Sequence, residues 1–344
     1  MDPYNLRGGT IRKHTLMPRP RFGGLILAAI CCLATTLAQA AGIRFIDVPA
    51  DADRPSLAGV VWTPCTAPTP KVAPGESAAL PGVVNCPIDG KELPLIVVSH
   101  GRRGSFLAHS DTAAALADAG FVVAAINHPG DTAKDAGRTD EFSVLVERPA
   151  DMKRLTDFML GTWKEAAVLD PRRIGLFGFS RGAYTGLVVI GGNPDFGALG
   201  AFCEKAGAST QKCQDVRAGR LPTEAPVHDP RVRAAILADP PLFEGLFTRE
   251  RLASVTIPIL LWRSALGGDG VVPEAVDALE QMLPEHPDYR IVPNAAHFSF
   301  VVPCPPKVAE VAPVLCTDPP GFDRRAFHTE FNGAAVAFFR ARLQ

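Results

Sequence analysis

A chain of 344 residues has room for one large domain or two ordinary ones. With 47% hydrophobic and 21% charged residues it reads as a folded, soluble protein with a sizeable core. The near balance of 35 basic against 36 acidic side chains, a formal charge of −1, excludes a general nucleic-acid binder, which would carry a clear basic excess.

The first forty residues form a unit of their own. Arg7, Arg12, Lys13, Arg19 and Arg21 precede the apolar run GGLILAAICCLATTLA, and no acidic residue stands between Asn5 and Ile46. Ala38 and Ala40 then occupy the small-residue positions of a cleavage site. That order is the order of a secretory signal over residues 1–40, with Met17 an alternative start. The apolar run is short for a bilayer span, which needs about 20 residues. No stable membrane insertion is expected after cleavage, a retained anchor being the alternative. The mature chain, 41–344, is expected in the periplasm or outside the cell.

Along that chain, IRFIDV and LAGVVW read as antiparallel edge strands, and residues 63 to 94, rich in Pro, Gly and Ala, as a long surface loop. LIVVSH (95–100) is a continuous apolar run that ends at a turn, the mark of a buried parallel strand. A helical stretch ending at Gly120 follows, then the strand FVVAAINHPG, the amphipathic helix RPADMKRLTDFMLGTW and the strand RIGLFGF. Further strands are expected in RAAILADP, PILLWRS and YRIVPNA, with a helix in PEAVDALEQML and a long one closing the chain from Phe322. Buried strands alternating with helices predict a mostly parallel sheet covered by helices on both faces. The one large interruption, 191–230, is read as an inserted lid.

Within this pattern Ser180 stands in GFSRG, directly after the strand RIGLFGF and before the helix-compatible RGAYTGLVVI. A strand, a sharp turn and a helix are what a nucleophile elbow requires, with Gly178 and Gly182 allowing close packing around an exposed hydroxyl. Chain order then calls for an acid and a histidine. Of the histidines after Ser180, only His297 lies in a loop just after the last strand. His228 and His286 sit in charged, proline-flanked sequence, and His328 inside the final helix. Asp269 in SALGGDGVVP is the first choice of acid, and Asp239 in ILADPP the alternative. Two backbone N–H groups should face the developing oxyanion, one from Arg181 and one from Arg102 in the turn SHGRRGS. His100 reads as a turn residue there. Arg102, Arg103 and Arg181 would also favour a carboxylate at the mouth, with simple solvation as the rival reading.

Six cysteines follow the signal in three pairs of near neighbours. Their proximity favours bridges Cys65–Cys86, Cys203–Cys213 and Cys304–Cys316 among the fifteen possible connectivities. None of the spacings is a zinc pattern, and neither metal nor organic cofactor is expected.

The set LIVVSHGRRGS, VVAAINHPGDT, ERPADMKRLTDFML, GLFGFSRGAYTGL, DPRVRAAILADP and NAAHFSFVVPC resembles the predicted dienelactone hydrolases of the α/β-hydrolase superfamily. It is also similar to platelet-activating-factor acetylhydrolases and, around NAAHF, to cutinase-like polyesterases. The resemblance spans residues 54 to 340 and implies the α/β-hydrolase fold and hydrolysis of a small-molecule or lipid ester through an acyl-enzyme. It implies Asp239 as the acid by the acetylhydrolases and Asp269 by the polyesterases. Dienelactone hydrolases carry cysteine at the elbow, where this chain has Ser180, so serine esterase chemistry is expected rather than lactone cleavage. An acyltransferase or a non-catalytic binding protein on the same fold are the alternatives.

Overall fold

The computed structural model describes residues 41–66, 82–205 and 210–344. The expected signal, 1–40, lies outside the described residues. Strands β1 (Gly42–Val48) and β2 (Leu57–Thr63) open the chain, followed by the two-residue β3 (Val83–Val84) and by β4 (Leu93–Ser99). Helix α1 (Ser110–Asp118), strand β5 (Val122–Ile126), α2 (Phe142–Gly161), β6 (Leu169–Phe179) and α3 (Arg181–Val189) come next. The short helices α4 (Leu199–Lys205) and α5 (Gln211–Arg217) precede β7 (Val232–Ala238), β8 (Ile259–Ser264), α6 (Pro273–Met282) and β9 (Asp288–Val292). The chain ends with α7 (Pro306–Val311), α8 (Pro313–Cys316) and α9 (Arg324–Leu343).

The strands form one sheet in the order β3-β1-β2-β5-β4-β6-β7-β8-β9. From β5 to β9 every neighbouring pair is parallel, while β1 and β2 run antiparallel at one side. The period of two sends alternate side chains to opposite faces. Leu95, Val97, Ala124, Leu176 and Leu237 enter one core, shared with Met152, Leu187 and Leu279 of α2, α3 and α6. Ile96, Val98, Ala125, Phe177 and Ile236 enter the other, shared with Leu116, Phe331 and Phe339 of α1 and α9. Both faces are therefore covered, which is why the central strands read as unbroken apolar runs.

Helix α2 begins at Phe142, six residues before the start expected at Arg148. Pro149, which favours a helix's first turn, lies inside it. Burial accounts for the extension: Phe142 and Val144 are both buried, and the Phe142 ring packs edge-on against Phe196, 5.3 Å away. The three expected disulfides are all present, with Cα–Cα separations of 6.0, 5.5 and 5.6 Å for Cys65–Cys86, Cys203–Cys213 and Cys304–Cys316.

At the turn from β6 into α3 two glycines lie directly against backbone. A Cβ at Gly182 would overlap the Ser99 carbonyl of β4, and one at Gly178 would overlap the carbonyl of Gly182. Both obstacles are backbone and neither can rotate away. Gly182→Ala is expected to cost about 4 kcal/mol or more, or to prevent folding. Gly161→Ala, at the end of α2 with nothing near the added methyl, is expected to be neutral or to stabilise by up to about 1 kcal/mol. Denaturant unfolding of the two variants checks the contrast.

Candidate active site

The parallel strands all end on one edge of the sheet, and the loops leaving that edge carry the residues of interest. Ser180 leaves β6 with φ 55° and ψ −124°, a conformation that a non-glycine residue adopts only under constraint. Its N–H is held by the Ala238 carbonyl of the neighbouring β7 at 2.8 Å. The hydroxyl donates to His297 Nε2 at 2.9 Å, and His297 Nδ1–H donates to Asp239 Oδ2 at 2.7 Å. All three side chains are buried: Ser180 is 3% exposed, His297 1% and Asp239 0%.

Each of them is held from behind. The His297 ring stacks on Phe179 with centroids 4.7 Å apart and an interplanar angle of 24°. Its backbone N–H donates to the Gly267 carbonyl at 2.9 Å. The Asp239 carboxylate accepts the Ser264 N–H and the Ser264 hydroxyl, both at 2.8 Å, in addition to His297. Ser264 Oγ in turn accepts the Gly267 N–H at 3.1 Å, so the acid and the histidine share one loop as their frame. Beyond His297, Ser299 Oγ donates to Asp318 at 2.9 Å and Arg324 pairs with the same carboxylate at 2.9 Å. The Cys304–Cys316 bridge closes the intervening loop.

Of the two candidate acids, the structure brings Asp239 and not Asp269 to His297. The Asp269 carboxylate is about one third exposed and lies 3.9 Å from the Arg102 guanidinium. The loop after β8 meets His297 through the Gly267 backbone, and Asp269, at φ 47°, stands farther along as the loop turns outward. Asp239 is the first residue after β7, next to β6 in the sheet, and needs no loop to reach the ring.

Arg181 is the first residue of α3, so its backbone N–H has no acceptor within the helix. Its side chain does not point to the mouth as the sequence suggested: Nη1 turns inward to Asp131 and to the Thr139 carbonyl, both at 2.8 Å. Arg102 does lie near the surface, pairing with Asp140 at 3.3 Å. His100 is a turn residue as read. Its Nδ1–H donates to the Gly101 carbonyl at 2.7 Å and Nε2 accepts the His128 N–H at 3.2 Å. Burial, then Arg148 beside it, pushes the His100 imidazole well below its usual range. His328 bridges Asp111 and the Ser299 carbonyl, and His286 is exposed.

In the 191–230 segment, α5 carries Lys212, whose Nζ reaches the same Thr139 carbonyl at 3.5 Å. Burial, then Arg181, lowers the Lys212 pKa to about 8. A cavity of about 240 Å³ opens between α2, α3 and this segment, with Tyr184 and Val188 on one wall; neither Ser180 nor His297 lines it. Among the described residues no three His, Cys, Asp or Glu side chains are grouped to hold a metal ion, and no helix is long and apolar enough to cross a membrane.

Residues 74–149 match the family model of platelet-activating factor acetylhydrolase, isoform II. None of the curated proteins compared matches the chain. Among solved structures it is similar to a ferulic acid esterase from Streptomyces cinnamoneus, at 18% identity and TM-score 0.58, over 90% of this chain and 91% of that one. It is also similar to a dienelactone hydrolase from Anabaena variabilis, at 15% identity and TM-score 0.51, over 88% and 99%. A Bacteroides ovatus structure described as a dipeptidyl aminopeptidase IV matches at 13% identity and TM-score 0.52, over 89% of this chain and 36% of that one. The chain has the α/β-hydrolase fold.

The sequence reading missed the charged cluster beneath the site, where Asp131, Arg148 and Arg181 meet. It also contains Asp151, which bonds His128 Nδ1 at 3.0 Å. Burial pushes the Asp151 pKa up to about 7, with Arg54 and Arg154 acting the other way. The folded protein thus keeps a proton there that the unfolded chain loses near pH 4, and this group's contribution to stability falls as pH rises from about 4 to 7. His100, His128 and His109, buried and depressed, act in the opposite sense, so the difference between variants is the clean measurement. Asp151→Asn is expected to gain in unfolding free energy on the wild type from pH 5 to about pH 7 and to level off above it. A difference independent of pH in urea melts would show that Asp151 is already ionised at pH 5.

Proposed function

We propose that this chain is an exported serine hydrolase that cleaves carboxylic esters through Ser180, His297 and Asp239. The observation that carries the reading is the continuous pair of hydrogen bonds from Ser180 Oγ to His297 and from His297 to Asp239, at 2.9 and 2.7 Å, on the elbow of an α/β-hydrolase fold. The family model over 74–149 and the likeness to a ferulic acid esterase support an ester as the substrate rather than an amide. The three disulfides fit an oxidising compartment, and with the signal-like residues 1–40 they support export.

In the mechanism, Ser180 Oγ attacks the ester carbonyl while its proton passes to His297 Nε2. The imidazolium that forms keeps Nδ1–H on Asp239, whose two bonds from Ser264 leave it no other direction to face. The Arg181 and Arg102 backbone N–H groups receive the negative oxygen of the tetrahedral intermediate, aided by the positive end of α3. Collapse releases the alcohol, which takes the proton from Nε2 and leaves the acyl group on Ser180. Water, deprotonated by His297, then repeats the addition and frees the acid. The 191–230 segment, beside Thr139 and Arg181, acts as the lid that shapes the entrance for a small-molecule or lipid ester.

Labelling the mature protein with a fluorophosphonate tests this directly. Peptide mass spectrometry should place the adduct on Ser180, and His297→Ala should abolish it. A folded, oxidised sample that takes no label would overturn the reading. Among the acids, Asp239→Asn is expected to lower kcat by about 10³–10⁴-fold, since the wrong imidazole tautomer is then held. Asp269→Asn is expected to stay within about tenfold of wild type, because only the Arg102 contact is lost. Reversed magnitudes in p-nitrophenyl acetate kinetics would return the role to Asp269.

A further inference from the structure

We propose that Asp131 is a positioning residue that aligns both oxyanion N–H donors, because one buried carboxylate holds the two separate backbone segments that carry them. The inference rests on the serine-hydrolase reading above. Asp131 lies in the turn after β5, in the stretch NHPGD, and is fully buried. It touches neither Ser180 nor His297 in any hydrogen bond; it acts on what surrounds them.

Four donors converge on it. Oδ1 accepts the backbone N–H of Arg103 at 3.1 Å and the hydroxyl of Thr139. Oδ2 accepts Arg148 Nη1 at 2.6 Å and Arg181 Nη1 at 2.8 Å. Arg103 is the neighbour of Arg102 in the turn after β4, and its φ of 52° is one that the turn must impose. Arg148, fixed in α2, carries the hold further: its Nη2 donates to the His100 carbonyl and to Ser99 Oγ. The turn is thus gripped at Ser99, His100 and Arg103. On the other side, the Arg181 side chain anchors the first residue of α3, whose own N–H is the second donor.

The energetics favour a geometric role. Asp131, Arg148 and Arg181 are 0, 1 and 8% exposed, so three charges have left water. An apolar cluster of the same shape is commonly as stable as a buried ion triad or more so. What apolar contacts do not supply is direction, whereas four hydrogen bonds to one planar group fix the relative placement of two loops. Burial alone would raise the Asp131 pKa, but Arg148 and Arg181 outweigh it and hold the group far below the usual carboxylate range. The tether therefore stays charged at neutral pH. Two guanidinium groups against one carboxylate also leave positive charge beneath the place where the oxyanion forms.

The test is Asp131→Asn, which keeps the shape and an acceptor for Arg103 but removes the charge and offers an amide N–H to a guanidinium. With p-nitrophenyl acetate, kcat is expected to fall about 100-fold, as for the loss of one oxyanion donor, with KM within about threefold. A trifluoromethyl ketone, which adds Ser180 to form a hemiketal oxyanion, should bind weaker by the same factor. Its methyl ketone counterpart, which binds without adding, should be unaffected. The pH midpoint of the histidine limb should not move.

An unchanged kcat overturns the proposal, and so does a fall in kcat with undiminished trifluoromethyl ketone binding. If Asp131→Asn does not fold, Arg181→Met decides. It leaves Asp131 and Arg148 as a neutral pair and should still lower kcat and trifluoromethyl ketone affinity together, by about tenfold. Wild-type protein that neither labels at Ser180 nor hydrolyses the ester would instead defeat the serine-hydrolase reading itself.

Discussion

The approach of the α3 backbone to the carbonyl of Ser99 governs everything around it. Because position 182 has no side chain, α3 starts close against β4, and because position 178 has none, the chain can turn sharply from strand to helix. Ser180 is thereby forced into a conformation with φ 55°. The strain is small beside the cores on both faces of the sheet, which over-determine where β6 and α3 must lie. A hydroxyl presented at the end of a central strand is then within reach of whatever leaves the neighbouring strand ends.

The sheet order decides what that is. β7 neighbours β6, so the residue that follows it, Asp239, stands beside the Ser180 turn without an intervening loop. β8 and β9 are one and two places farther out, and their loops must fold back. The β8 loop does so with its main chain, holding the His297 N–H on Gly267 and, through Ser264, the carboxylate of Asp239. The β9 loop delivers His297 onto the face of Phe179, the residue just before Ser180. Asp239, His297 and Ser180 therefore come from three adjacent regions of one edge, each braced by a hydrogen bond or ring contact from another.

Below that edge lies a second, polar layer that the apolar pattern conceals. Ser99, His100, His128, Asp131, Arg148 and Arg181 are all buried, and their hydrogen bonds link β4, β5, α2 and α3 across the sheet. Charges in such surroundings are tolerated only when every one is answered, so the layer rigidifies the turn after β4 as much as it costs to bury. The disulfides act at a different level, joining cysteines 10 to 21 residues apart in sequence. They restrict the unfolded chain.

Much of this was legible in the sequence, and for local reasons. Apolar runs such as LIVVSH and FVVAAIN declare doubly covered strands, the glycines around Ser180 declare an elbow, and His297 declares itself by following the last strand. Close spacing of cysteines paired them correctly. Asp269 was the first choice because it follows the strand PILLWRS and precedes His297 by 28 residues, and nothing local separates it from Asp239. The choice of Asp239 depends on strand adjacency, which no local pattern encodes. Likewise nothing local reports that Asp131, Arg148 and Arg181, spread over 50 residues, share one carboxylate, since their hydrogen bonds form only after three elements have packed. The start of α2 at Phe142 has the same origin: Pro149 is a local signal, and burial of Phe142 overrode it. The sequence by itself determined the elements, the elbow and the histidine, because backbone sterics and periodicity act over a few residues. Only the tertiary structure decided which acid faces the histidine and what holds the turn after β4, because those contacts join positions far apart in the sequence.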